Sequence, residues 1–122
     1  REATKYMKKR NEGSIFFTGA TASVRGSSGF SAFAGAKFAL RALSQSMARE
    51  LGPVGIHVAH FIIDGAIDTA FIKENFPDIY ALKEKDGILQ PSAIADAYWF
   101  VHTQEKNAWT HELDLRPYME KF

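Results

Sequence analysis

Gly13-Ser14-Ile15-Phe16-Phe17-Thr18-Gly19-Ala20 is the stretch on which the fold turns. Its centre, Ser14 to Thr18, is a short apolar run that does not alternate with polar residues. It therefore reads as a buried strand rather than one with a solvated face. Gly13 reads as the glycine stop of a preceding helix. Beyond Gly19 the chain is rich in Gly and Ser from Ala20 to Phe30, which is a loop.

Working outward, Phe33, Ala36, Leu40, Leu43, Met47 and Leu51 recur at steps of three and four. That spacing predicts a long helix over 31–51, stopped by Gly52-Pro53. Small residues lie alongside (Ala32, Gly35, Ala39, Ala42 and Ser46), so the helix is expected to pack on two sides. Gly55 to Ile63 predicts a second strand and Asp64-Gly65 a turn. Residues 70–90 mix charge with Pro77 and Gly87, which suggests a short helix in a mobile excursion. Pro91-Ser92 opens a helix to about Thr103, and Trp109 to Leu115 is a third strand ended by Pro117. Upstream, Tyr6 and Met7 give helix 2–11 an apolar side. Arg1 is not a methionine and no capping residue precedes the helix, so an upstream segment is expected. Strand, helix, strand, helix, strand implies an α/β fold: three parallel strands near 14–19, 55–63 and 110–115 with flanking helices and right-handed crossovers.

The 122 residues fit a single domain, and 46% hydrophobic with 24% charged residues is ordinary globular composition. No cysteine is present, which removes disulfides and thiolate metal sites. No apolar run approaches the length of a membrane span, and no basic-then-apolar leader is visible, so a cytoplasmic protein is expected. Fifteen basic against fourteen acidic residues leave a net charge of +1, which gives no electrostatic reason to expect nucleic acid or an anionic membrane as partner. No two of the nine glycines are spaced two apart, so G-x-G-x-x-G is absent, as is a Walker loop. His57 and His60 sit three apart in a strand and point to opposite faces, so they cannot chelate one ion. With His102 and His111 they read as ordinary, partly buried histidines, and no metal site is expected.

Five pieces follow in order: Gly13 to Ala20, Phe33-Ala34-Gly35-Ala36-Lys37, Arg49-Glu50-Leu51-Gly52, Gly55-Ile56-His57-Val58, and Asp64-Gly65-Ala66-Ile67-Asp68-Thr69. Together they resemble the carboxyl-terminal half of a short-chain dehydrogenase/reductase, and the resemblance covers essentially the whole chain. It implies a partial NAD(P)-binding Rossmann-like fold, three-layered when complete, in which residues 1–122 form one domain and the dinucleotide-binding half lies before Arg1. Within this resemblance Lys37 stands at the catalytic lysine, which also holds the nicotinamide ribose. Gly65, Ile67 and Thr69 resemble the turn that meets the nicotinamide amide. The cofactor implied for the full-length parent is NAD or NADP, with none expected bound to this chain alone.

The chain departs from the family pattern at three points. Phe33 stands where the family has its catalytic tyrosine, and Ala20 where it has a serine. Neither can transfer a proton. Thr18 and Thr21 are the nearest hydroxyls. Asp64 replaces a proline and adds a negative charge that would disfavour a pyrophosphate if it pointed inward. Two readings follow: a fragment of an NAD(P)-dependent oxidoreductase, itself inactive, or a pseudoenzyme that binds cofactor or dimerises without hydride transfer. The resemblance also implies a homodimer through helices 2–11 and 31–51, with Ala32, Ala39, Ala42 and Ser46 at the contact. The small-molecule substrate is not readable.

Overall fold

The computed structural model describes residues 1–20 and 31–121, apart from the side chains of Ser31 and Phe33. Most of the expected glycine- and serine-rich loop, Thr21 included, lies outside the described residues.

Three strands form one parallel sheet in the order β1 (Gly13–Ala20), β2 (Ile56–Ile63), β3 (Glu112–Leu115). Gly13 pairs with Ile56 and Ala20 with Ile63, and Ile63 in turn pairs with Leu115. Among the described residues five α-helices accompany the sheet: α1 (Glu2–Arg10), α2 (Ser31–Leu51), α3 (Ala70–Asn75), α4 (Pro77–Tyr80) and α5 (Pro91–His102). The parallel α/β arrangement is the one expected, and each long element lies within three residues of its predicted bounds.

Both faces of β2 are covered, and all eight of its residues are buried. One face sends Ala59, Phe61 and Ile63 against Ile94, Tyr98 and Val101 of α5. These α5 positions are spaced by four and three, the period of one helical face. The other face sends Ile56 and Val58 against Met47, Ala48 and Leu51 of α2, with Met7 of α1 and Ile15 of β1. Burying a parallel strand on two sides explains why its sequence is an unbroken apolar run.

Four expectations need correction. β1 is only half-buried along most of its length, because it is an edge strand paired solely with β2 among the described residues. The stop of α1 is Asn11, whose φ of 52° is left-handed, and not Gly13, which opens β1. Gly13 is needed for another reason: its φ of +143° is a conformation that L side chains rarely adopt. β3 begins at Glu112 rather than Trp109. The three residues before it are held by side chains, with Trp109 stacked on His57 and Thr110 bonded to Gln104. The 70–90 excursion is mostly helical, made of α3, α4 and a 3-10 turn over Ala81–Lys85.

The histidines do point to opposite faces, and both are buried rather than partly so. His57 donates from Nε2 to the Thr110 carbonyl at 2.7 Å and leaves Nδ1 with no partner among the described residues. Burial lowers its pKa from 6.5, outweighing the Thr110 bond, while His102 and His111 push the same way. In the unfolded chain His57 therefore takes a proton at a pH where the folded protein still refuses it. The unfolded state binds more protons in that window, so stability falls as pH drops below about 6.5. Urea midpoints at pH 7.5 and 5.5 will show this loss, and His57→Phe will flatten it. A midpoint that rises on acidification contradicts the assignment.

Candidate functional site

In open parallel sheets ligands bind beyond the carboxyl ends of the strands. Here those ends are Ala20, Ile63 and Leu115, which the register brings into one row. The chain leaves β2 through Asp64 and Gly65, so Ala20 lies beside this turn. α2 follows β1 and therefore starts at the same edge. Topology thus gathers Ala20, the first turns of α2 with Lys37, and the segment Asp64 to Thr69. Lys37 is half-buried in the second turn of α2. Phe33 lies in the first turn, and its side chain is outside the described residues.

The turn is tightly held. The Asp64 N–H donates to the Leu115 carbonyl at 2.9 Å. Its carboxylate is buried and meets Arg116 Nε at 3.3 Å, while the same guanidinium also pairs with Asp114. The negative charge expected to trouble an incoming phosphate thus lies against a cation that Asp114 shares. Gly65 has φ of +146°, and a Cβ on it would stand 2.9 Å from Pro117 Cδ. Glycine is therefore needed both for the backbone turn and for the close approach.

Beyond Gly65 the chain is latched to the end of the helical excursion. Leu89 donates to the Ala66 carbonyl and Asp68 to the Leu89 carbonyl, each at 2.8 Å, and Ile67 bridges Leu89 in parallel. Ile67 packs on the core beneath. Asp68 pairs with Lys83 at 2.9 Å. The hydrogen bond from Lys83 is the largest influence holding the Asp68 carboxyl below its ordinary range, and the reciprocal bond raises Lys83. Thr69 caps α3, its hydroxyl accepting from the Ile72 N–H at 3.3 Å.

A second cluster sets the pose of α2. Arg41 grips Glu112 with Nε at 3.0 Å and Nη2 at 2.9 Å, and buried His60 Nδ1 lies 3.1 Å from the same carboxylate. Burial opposes ionisation of Glu112, but the bonds from Arg41 and His60 outweigh it and lower its pKa. Arg41 is one turn beyond Lys37, so this two-pronged grip fixes the rotation of the helix that carries Lys37. Sequence reasoning missed Arg41, Glu112 and Arg116. A basic residue just past a strand end was the available signal for Arg116. Thr18, considered as a substitute hydroxyl, lies on the α5 face and bonds the Tyr98 hydroxyl at 2.5 Å.

Among the described residues no cluster of three or more His, Cys, Asp or Glu could hold a metal ion. Among the same residues no helix is long and apolar enough to cross a membrane.

Residues 1–79 match the family model for short chain dehydrogenase. A short-chain dehydrogenase structure from Rhodopseudomonas palustris is 49% identical, with TM-score 0.71 over 97% of this chain and 44% of that one. A closed-form serine dehydrogenase complexed with NADP+ is 20% identical, with TM-score 0.78 over 100% of this chain and 51% of that one. A 3-dehydrosphinganine reductase from Danio rerio is 30% identical over 92 residues, which is 73% of this chain and 28% of that protein. The chain thus spans about half the length of these structures, and less of the reductase.

Proposed function

We propose that this chain, which belongs to the short-chain dehydrogenase family, is the carboxyl-terminal half of an NAD(P)-dependent oxidoreductase and carries the nicotinamide side of its site. The observation that carries the reading is the gathering of Lys37, Ala20 and the Gly65–Thr69 turn at one sheet edge. The Asp64 carboxylate, held against Arg116, suits a dinucleotide approaching that edge. When bound, the nicotinamide supplies or accepts a hydride. Lys37 would hold the ribose hydroxyls, and the turn from Gly65 to Thr69 would meet the carboxamide through its backbone.

A second reading has specific support. Ala20 and Phe33 carry no hydroxyl, so the positions that would move a proton to or from a substrate oxygen are empty of acid and base. On that reading the protein binds cofactor or dimerises without hydride transfer. Both readings make the same statement about residues 1–122 alone: no micromolar affinity for NADH or NADPH, because this chain has no glycine-rich pyrophosphate turn. The test pairs calorimetric titration of the chain with that of a chimera. In the chimera, the part of the R. palustris dehydrogenase outside the match precedes Arg1. Binding by the chimera only is the expected result. Tight binding by the short chain, or none by the chimera, refutes the reading.

A homodimer through α1 and α2 belongs to the same proposal. On α2 the small residues Ala32, Ala39, Ala42 and Ser46 are exposed, together with Phe38 and Leu43. No residue of α1 is buried, and Tyr6 stands 65% exposed. A two-fold contact introduces every substitution twice. Ala42→Trp should shift light scattering toward the 13.6 kDa monomer, since overpacking a fitted contact costs about 1–3 kcal/mol. A wild-type chain that is monomeric at micromolar concentration contradicts the dimer.

A further inference from the structure

His57 and His60 of β2, with His111 just before β3, lace the two strands together. His57 Nε2 donates to the Thr110 carbonyl at 2.7 Å, His111 Nδ1 to the Val58 carbonyl at 3.0 Å, and His60 Nδ1 to the Glu112 carboxylate at 3.1 Å. Each ring uses one nitrogen. The other three, His57 Nδ1, His60 Nε2 and His111 Nε2, are buried with no partner among the described residues. β3 in turn holds both parts of the candidate site. Glu112 takes the Arg41 grip that sets α2, Leu115 accepts from the Asp64 N–H, and Arg116 meets the Asp64 carboxylate. Yet β3 pairs with β2 over four residues against eight for β1, and no strand lies beyond it among the described residues. Its hold on β2 therefore leans on the histidine bonds and on the stack of Trp109 over His57.

We propose that residues 109–116 form an acid-released clamp, closed against β2 at neutral pH and freed when His57 takes a proton, so that the Asp64-Gly65 turn is released with them. The bond to Thr110 places the proton of neutral His57 on Nε2 and leaves Nδ1 a bare acceptor. A second proton would create a buried N–H with nothing to receive it, which is costly. The charged neighbours do not relieve that cost. His102 from α5 and His111 from the approach to β3 both oppose a charge on the ring. Glu12 and Lys106, one of each sign, line the small cavity beside it. From β1 come Ser14, already bonded to His102, and the edge of Phe16. Once the segment opens, His57 meets water and takes its proton near pH 6.5. Acidification from pH 7.5 to 5.5 therefore favours opening about tenfold. His60 is a tie and not the trigger, because its ring faces a carboxylate. Release of a short edge strand needs far less of the fold to open than global unfolding does.

Residues 1–122 carry the test by themselves, so it stands apart from the family reading. The reporters are the His60 amide, which donates to the His111 carbonyl, and the Asp64 amide. Their hydrogen exchange, corrected for intrinsic rate, should speed about tenfold from pH 7.5 to 5.5. It should depend weakly on added urea, whereas amides that pair β1 with β2 follow the steep dependence of global unfolding. His57→Gln keeps a neutral donor toward Thr110 and should abolish the acid response. Trp99→Phe leaves Trp109 as the single tryptophan, and acrylamide access to it should rise over the same pH range. Exchange at His60 and Asp64 that merges with global unfolding overturns the proposal, as does an acid response that survives His57→Gln. So does a charged His57 that stays on the Trp109 ring face, seen as quenching of Trp109 with no gain in acrylamide access. Should His57→Gln fail to fold, the wild-type exchange and the Trp109 readout decide the question.

Discussion

Phe33→Tyr combined with Ala20→Ser should raise carbonyl reduction by the chimera about 10²–10⁴-fold, the usual range for a positioned general acid. The pair would restore a hydroxyl beside the start of α2 and another at the end of β1. A phenol has an ordinary pKa of about 10, and Lys37 one helical turn along would pull it toward the working range. Ala20 is placed for the second hydroxyl, since it pairs with Ile63 immediately before the Asp64-Gly65 turn. Either substitution alone should give much less, because the two groups act on one substrate oxygen. The measurement is NADPH oxidation with a panel of simple ketones. A parent chimera that already reduces them briskly, with no gain in the double variant, shows that another group supplies the proton.

Phe61→Ala should be the most damaging single truncation in the core, at about 3–5 kcal/mol. Phe61 is fully buried at the centre of β2. Its ring stacks on Tyr98 at 3.8 Å and meets Phe16 edge-on at 5.2 Å, so it joins both neighbouring elements. Against a total stability of about 5–15 kcal/mol that loss threatens the fold itself. Phe100→Ala is the contrast. This ring is 66% exposed, and its removal should stay within about 0.5 kcal/mol. Urea denaturation of the two variants separates these cases, and similar midpoints would mean that α5 does not pack as described.

The elements that sequence alone makes legible are those whose burial is periodic. α2 shows its face at steps of three and four, and β2 shows two covered faces as an unbroken apolar run. Boundaries set by a single residue were less legible. Asn11 and Gly13 are both good helix terminators, and only the backbone angle shows that Asn11 ends α1. β1 reads as buried because its residues are apolar, but apolar residues cannot announce that it pairs with β2 alone among the described residues. The positions of Lys37 and the Gly65–Thr69 turn were legible through motif resemblance. The ion pairs that hold them were not. Arg41 and Glu112 are 71 residues apart, and Arg116 and Asp64 are 52 apart. Charged residues at such separations show no pattern until the fold pairs them. The same limit explains Asp64. As a letter it is an added negative charge at the cofactor edge, and in the structure it is buried against the Arg116 guanidinium that Asp114 shares.

On the proposed reading, the carboxyl edge of this sheet, through Lys37, would hold the nicotinamide end of a dinucleotide. The most direct test is the NADH affinity of the chimera with and without Lys37→Ala, read by NADH fluorescence. Losing a charged hydrogen-bond donor to the ribose is worth about 1.5–3 kcal/mol, so the dissociation constant should rise tenfold or more. The urea midpoint of Lys37→Ala, measured beside its affinity, separates a binding role from a structural one. An affinity unaltered by Lys37→Ala would contradict the account.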